Sequence, residues 1–124
     1  MDRVHADRRE PDTPDQPIDL GTAIEELLAT ASEQRSGRAA RTLTPGSGAR
    51  LKQTLVALRE GQQMDDHVAP GQATLQVLRG AMTLAWGDER RELSEGSWTP
   101  IPSELHRLIA TSDSAAMITT VPDT

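Results

Sequence analysis

From Gly37 to the end of the chain no stretch holds a helical period, and short apolar or alternating runs are cut every few residues by turn chemistry. The runs are 38–44, 51–58, 74–78, 81–86, 91–93, 98–101, 105–111 and 115–121. Between them stand Pro45-Gly46-Ser47-Gly48, Glu60-Gly61, Pro70-Gly71, Gly80, Gly87-Asp88, Glu95-Gly96, Pro102-Ser103 and Ser112-Asp113-Ser114, all suited to tight reversals. Connections this short cannot carry a crossover helix, so the strands are expected to pair antiparallel. Eight such strands in a chain of 124 residues point to a mainly β fold, a β-sandwich or a barrel of jelly-roll type around one core.

One helix is predicted ahead of the strands. Leu20, Ile24, Leu27, Leu28 and Ala31 recur at the three- and four-residue spacing of a single helical face. Asp19 suits the N-cap, Glu25 and Glu26 suit the early turns, and Arg35 with Gly37 suits the end. A lone amphipathic helix must lay its stripe on something, and the sheet that follows is the expected receiver. Residues 1–17, MDRVHADRREPDTPDQP, hold too little apolar surface to offset their ordering entropy and are expected to form a disordered tail, with His5 solvated. The organisation expected is therefore a tail over 1–17, a helical segment over 18–37 and a β-barrel domain over 38–124.

Composition removes several function classes. The chain has no cysteine, which excludes disulfides, thiolate nucleophiles, zinc–thiolate sites and iron–sulfur clusters. A formal net charge of -6 gives phosphate backbones no general attraction, and Trp86 and Trp98 are the only aromatic residues, so nucleic acid is not an expected partner. No run approaches the roughly eighteen apolar residues of a membrane helix, and the N-terminus carries no apolar signal stretch, so no membrane partner and a cytoplasmic location are expected. Pro45-Gly46-Ser47-Gly48-Ala49-Arg50 leads into no helical pattern, which removes a phosphate loop. Gly96-Ser97-Trp98 lacks the second glycine and the strand–turn–helix setting of a nucleophile elbow. The charged run Glu89-Arg90-Arg91-Glu92 after Gly87-Asp88 reads as a solvated edge that discourages intermolecular pairing rather than as an anion site.

The stretch Gly61 to Gly80, GQQMDDHVAPGQATLQVLRG, followed by GSWTPIPSELHRL, carries a resemblance. Gly61, five residues and then His67, closing at Val77-Leu78-Arg79-Gly80, resembles the first motif of the cupin superfamily. Gly96, Pro102 and His106 resemble the second, with Ile101 where the first proline of the turn usually stands. The resemblance covers about residues 38–121 and implies a cupin-like jelly-roll barrel, a ligand cavity and assembly as a homodimer, with the N-terminal helix packing across the neighbour. It also implies a metal site, from which this sequence departs: Ala69 holds the second histidine position and Ala73 the glutamate position, with Gln72 just before it.

Several readings of the retained residues follow. If strand alternation runs through the first motif, Asp65 shares a face with His67, and Asp65, His67 and His106 would form a two-histidine, one-carboxylate set for a divalent metal. A metal-dependent oxygenase or isomerase is then the implied activity. Alternatively, His67 and His106 form the polar floor of a site for a small organic ligand, with no cofactor. Gln53 joins that floor if the face it shares with Leu51, Leu55 and Ala57 turns inward, and is a satisfied structural amide if it does not. Gln72 is taken as a further ligand contact, and Trp98 as a wall of the cavity mouth or a cover over core surface. Gln76 is expected to face outward, and Met64, Met82 and Met117 to fill core. A third reading is a regulator that acts on protein partners through the tail and helix. The depleted ligand set favours a non-catalytic small-molecule binding or sensing module.

Overall fold

The computed structural model describes residues 17–44, 49–68 and 71–123, and only the backbone at 65–67. The expectation for the tail therefore falls, Pro17 apart, outside the described residues. Helix α1 spans Leu20–Glu33. Asp19 caps it as expected: its carboxylate accepts hydrogen bonds from the Thr22 hydroxyl and from the Thr22 backbone N–H, and these hold its pKa below the ordinary 3.8. The buried face of α1 carries Ala23, Ile24, Leu27 and Ala31. It lies on Leu55, Ala57 and Met117 of the chain's own sheet, the receiver expected from the sequence.

Among the described residues, nine strands follow: β1 Arg38–Thr42, β2 Lys52–Leu58, β3 Gln63–His67, β4 Gly71–Arg79, β5 Ala81–Trp86, β6 Glu89–Ser94, β7 Trp98–Pro100, β8 His106–Ala110 and β9 Ser114–Pro122. All pairings are antiparallel, in a five-stranded sheet of order β1-β2-β9-β4-β7 and a four-stranded sheet of order β3-β8-β5-β6. Strand β3 is the one the sequence reading missed. Its Asp65-Asp66 pair and the polar Gln62-Gln63 hide the period-two signal on which strand assignment rests.

Alternation then distributes the core. On the five-stranded sheet Val56, Leu58, Leu75, Val77 and Ala116 face inward and meet Met82, Leu84, Leu93, Leu108 and Ala110 of the opposite sheet. The other face of the same sheet packs under α1, so this sheet is apolar on both sides. Met64, Met82 and Met117 all serve as core filling, and Gln76 is exposed, as expected. The turn between β4 and β5 depends on Gly80, whose φ of 83° is one that L side chains rarely adopt, and whose missing Cβ leaves room for the Asp113 carbonyl and Ser114. No helix among the described residues is long and apolar enough to cross a membrane.

Two outcomes test this account. Leu75→Ala, at a fully buried inward position, is expected to cost about 2–5 kcal/mol of unfolding free energy in urea, whereas Gln76→Ala next to it should stay within about 0.5 kcal/mol. Because the Asp19 carboxyl titrates below its unfolded value, its cap stabilises fully above that value and is lost as pH falls through the lowered one. The stability advantage of the wild type over Asp19→Ala, read by far-ultraviolet circular dichroism melts, should therefore shrink between about pH 5 and pH 3.

Candidate ligand-binding site

The second-motif histidine stands at the end of the sandwich where β3 and β5 finish and β4, β6 and β8 begin. His106 opens β8 two residues before the core residue Leu108, so it shares Leu108's inward face, and it is 3% exposed. Its Nδ1 lies 2.9 Å from the carbonyl oxygen of Glu104. A carbonyl only accepts, so Nδ1 carries the hydrogen of this bond. The loop that follows β7 is tied to the opposite sheet by the Ile101 N–H, which donates to the Ala73 carbonyl at 2.9 Å.

Register sets His67 directly opposite His106 on the neighbouring strand β3. Met64 stands opposite Leu108, so three steps along β3 match two along β8, and a bulge lies between Met64 and His67. The simple alternation that would put Asp65 on the face of His67 is interrupted there. The side chains of Asp65 and His67 lie outside the described residues.

On the other flank of β8, β5 ends at Trp86, which packs against the inner core and shares a cavity of about 120 Å3 with Leu105 and His106. Beyond it, Arg91 of β6 stands opposite Leu84 and two residues before Leu93, both inward core residues. Its guanidinium carbon lies 4.5 Å from the centroid of the Trp86 ring. Its Nη1 donates to Thr99 Oγ1 at 2.7 Å and to the Pro100 carbonyl at 3.1 Å, joining the edge of one sheet to the edge of the other. Arg91 is exposed with the rest of the charged run, as expected, but alternation from Leu93 puts it on the inward row, a signal present in the sequence but masked by the charge run.

The five-stranded sheet supplies the facing wall. Lys52, Thr120 and Ala73 stand abreast on β2, β9 and β4, and Thr54 lies one inward step deeper along β2. Thr99 of β7, opposite Leu75, is buried at 5% exposure. A cavity of about 400 Å3 opens between Ala73, Thr74, Pro100, Ile101 and Ser103. Sequence reasoning missed Trp86, Arg91, Thr54, Thr99 and Thr120 as residues of this end.

Two expected site residues, Gln53 and Trp98, lie elsewhere. Gln53 does share a face with Leu55 and Ala57, but that face turns to α1, and its Nε2 donates to Thr119 Oγ1 at 3.3 Å in the same outward row. It is the satisfied structural amide, because a sheet buried on both sides gives an apolar alternation that does not say which side is the cavity. Gln72 is exposed, one residue before the inward Ala73, and lines the cavity of about 400 Å3 with it. Trp98 is 61% exposed beside the outward Gln76, one residue before the inward Thr99, so it does not wall the cavity mouth. Ala73 puts a methyl group where the motif's carboxylate would point, and no group of three His, Cys, Asp or Glu that could hold an ion occurs among the described residues.

No family model matches the sequence, and no curated protein matches it. Solved structures do. A conserved protein of unknown function from Streptococcus pyogenes is 22% identical with a TM-score of 0.68, over 90% of each chain. A cupin superfamily protein from Desulfitobacterium hafniense is 17% identical with a TM-score of 0.72, over 93% of this chain and 99% of its own. Salicylate 1,2-dioxygenase from Pseudoaminobacter salicylatoxidans matches 82% of this chain with 32% of its own length, at 21% identity and a TM-score of 0.67.

The bridge made by Arg91 is open to a direct test. Arg91→Ala removes two hydrogen bonds and a cation–π contact and should cost roughly 1–2 kcal/mol. Arg90→Ala should stay within about 0.5 kcal/mol, both read by urea unfolding.

Proposed function

With the cupin fold as its scaffold, we propose that the chain binds a small organic molecule at the polar end of its barrel and works as a binding or sensing module. The observation that carries this reading is the buried His106, its ring oriented by the Glu104 carbonyl, on an inward face shared with Trp86 and backed by a cavity. A buried imidazole oriented by a backbone carbonyl supplies a polar group in a fixed position, and the neighbouring ring supplies apolar area. Ala73 supports the reading from the other wall, because a methyl group in place of a carboxylate widens the space and supplies no charge. Assembly as a homodimer belongs to the proposal, and β1, at the edge of its sheet among the described residues, is the place for a second copy to add its ladder.

A thermal-shift screen of a mixed library of small polar and aromatic metabolites tests the reading. The expected outcome is stabilisation by a subset of compounds, lost or reduced about tenfold in affinity in His106→Ala and kept in Trp98→Ala. The same protein reconstituted with iron, manganese, nickel and zinc provides the contrary arm. Near-stoichiometric metal that disappears in both His67→Ala and His106→Ala would replace the binding module by a metal-dependent enzyme.

A further inference from the structure

We infer that the ligand of this barrel end is a small organic carboxylate, held by the guanidinium of Arg91 between the Trp86 ring and Thr99. The inference rests on the reading of this end as a small-molecule site and adds the ligand's chemical class.

The charges carry it. The chain is acidic, at a formal net charge of -6, yet the charged side chains that its register turns inward at this end include Arg91 on β6 and Lys52 on β2. No described carboxylate pairs with either of them. Glu89, on the inward row of β6 at the hairpin tip, is exposed and makes no ion pair with Arg91. Arg91 is exposed at the mouth, so the donors it does not spend on the protein face solvent and are open to a ligand. Here Nη1 alone takes protein acceptors, the Thr99 hydroxyl and the Pro100 carbonyl. The N–H groups of Nη2 and Nε have no acceptor among the described residues, and the guanidinium sits over the Trp86 ring. A guanidinium fork with donors to spare and no carboxylate partner among the described residues matches a carboxylate by shape as well as by sign.

The surroundings fit the rest of such a molecule. Thr54 and Thr120 place hydroxyl-bearing residues on the inward face of the facing sheet, and Thr99 is already drawn to the guanidinium. The cavity of about 400 Å3 beside Ala73 and Ile101 shares Pro100 with the arginine's hydrogen bond, so a carbon skeleton can extend from the charged end along apolar wall. The methyl group of Ala73 matters twice here: it leaves the volume, and it withholds the negative charge that would otherwise compete for the cation.

Isothermal titration of the full chain with acetate, succinate and benzoate, each matched to its amide, tests the inference. At least one carboxylate is expected to bind at least about tenfold more tightly than its amide, and its affinity should fall as salt rises. Arg91→Gln should weaken that carboxylate about tenfold or more and leave the amide unchanged, while Arg90→Gln behaves as the wild type. Should Arg91→Gln fail to fold, Arg91→Lys keeps the charge without the fork and is expected to lose most of the preference. Equal binding of carboxylates and amides, or carboxylate binding undiminished in either Arg91 variant, overturns the inference. Amide binding that depends on His106 but not on Arg91 would leave the small-molecule reading standing and remove only the carboxylate. Silence from every compound in both series would count against both.

Discussion

Everything in this chain depends on one sheet being buried on both faces. Leu75, Val77, Val56 and Leu58 turn into the sandwich, while Leu55, Ala57 and Met117, one residue out of step with them, turn under α1. A one-residue slip of β2 against β9 would exchange the two sets on β2, turning Val56 and Leu58 out and stranding Gln53 in the inner core. The hydrophobic load on both faces therefore fixes the register. The register in turn decides which polar residues look into the barrel.

The same burial explains where sequence reading succeeds and where it stops. The stripe Leu20, Ile24, Leu27, Leu28 and Ala31 announces α1 and its cap, and turn residues from Gly61 to Ser114 mark most strand ends. Gln53 is a different matter. Its alternation with Leu55 and Ala57 is plain, but two apolar faces look alike in one dimension, and only the docking of α1 tells them apart. Strand β3 was illegible because Asp65 and Asp66 carry no apolar alternation and a bulge interrupts the period. Arg91 was legible in principle, since Leu93 two residues on marks its face, but the surrounding run of like residues suggested a solvated edge.

The barrel end gathers its polar groups from strands far apart in sequence. Register sets His67 beside His106, which neighbours Trp86, and Trp86 lies under Arg91, so β3, β8, β5 and β6 contribute one after another. Arg91 then crosses to Thr99 and Pro100 and ties this row to the facing sheet. The cupin fold hosts many chemistries, and fold alone does not select among them. Selection here comes from residues the fold does not dictate: the methyl group of Ala73, the oriented ring of His106 and the fork of Arg91.

The chain's only two tryptophans lie on different sheets, Trp86 inward on the four-stranded one and Trp98 outward on the five-stranded one, and each gives one indole N–H resonance. Titrating 15N-labelled protein with benzoate and following those two resonances tests most directly whether recognition happens inside the barrel end. The account expects the Trp86 indole signal to move in a saturable way while that of Trp98 stays in place. A shift confined to Trp98, or movement of neither signal while benzoate binds, would contradict it.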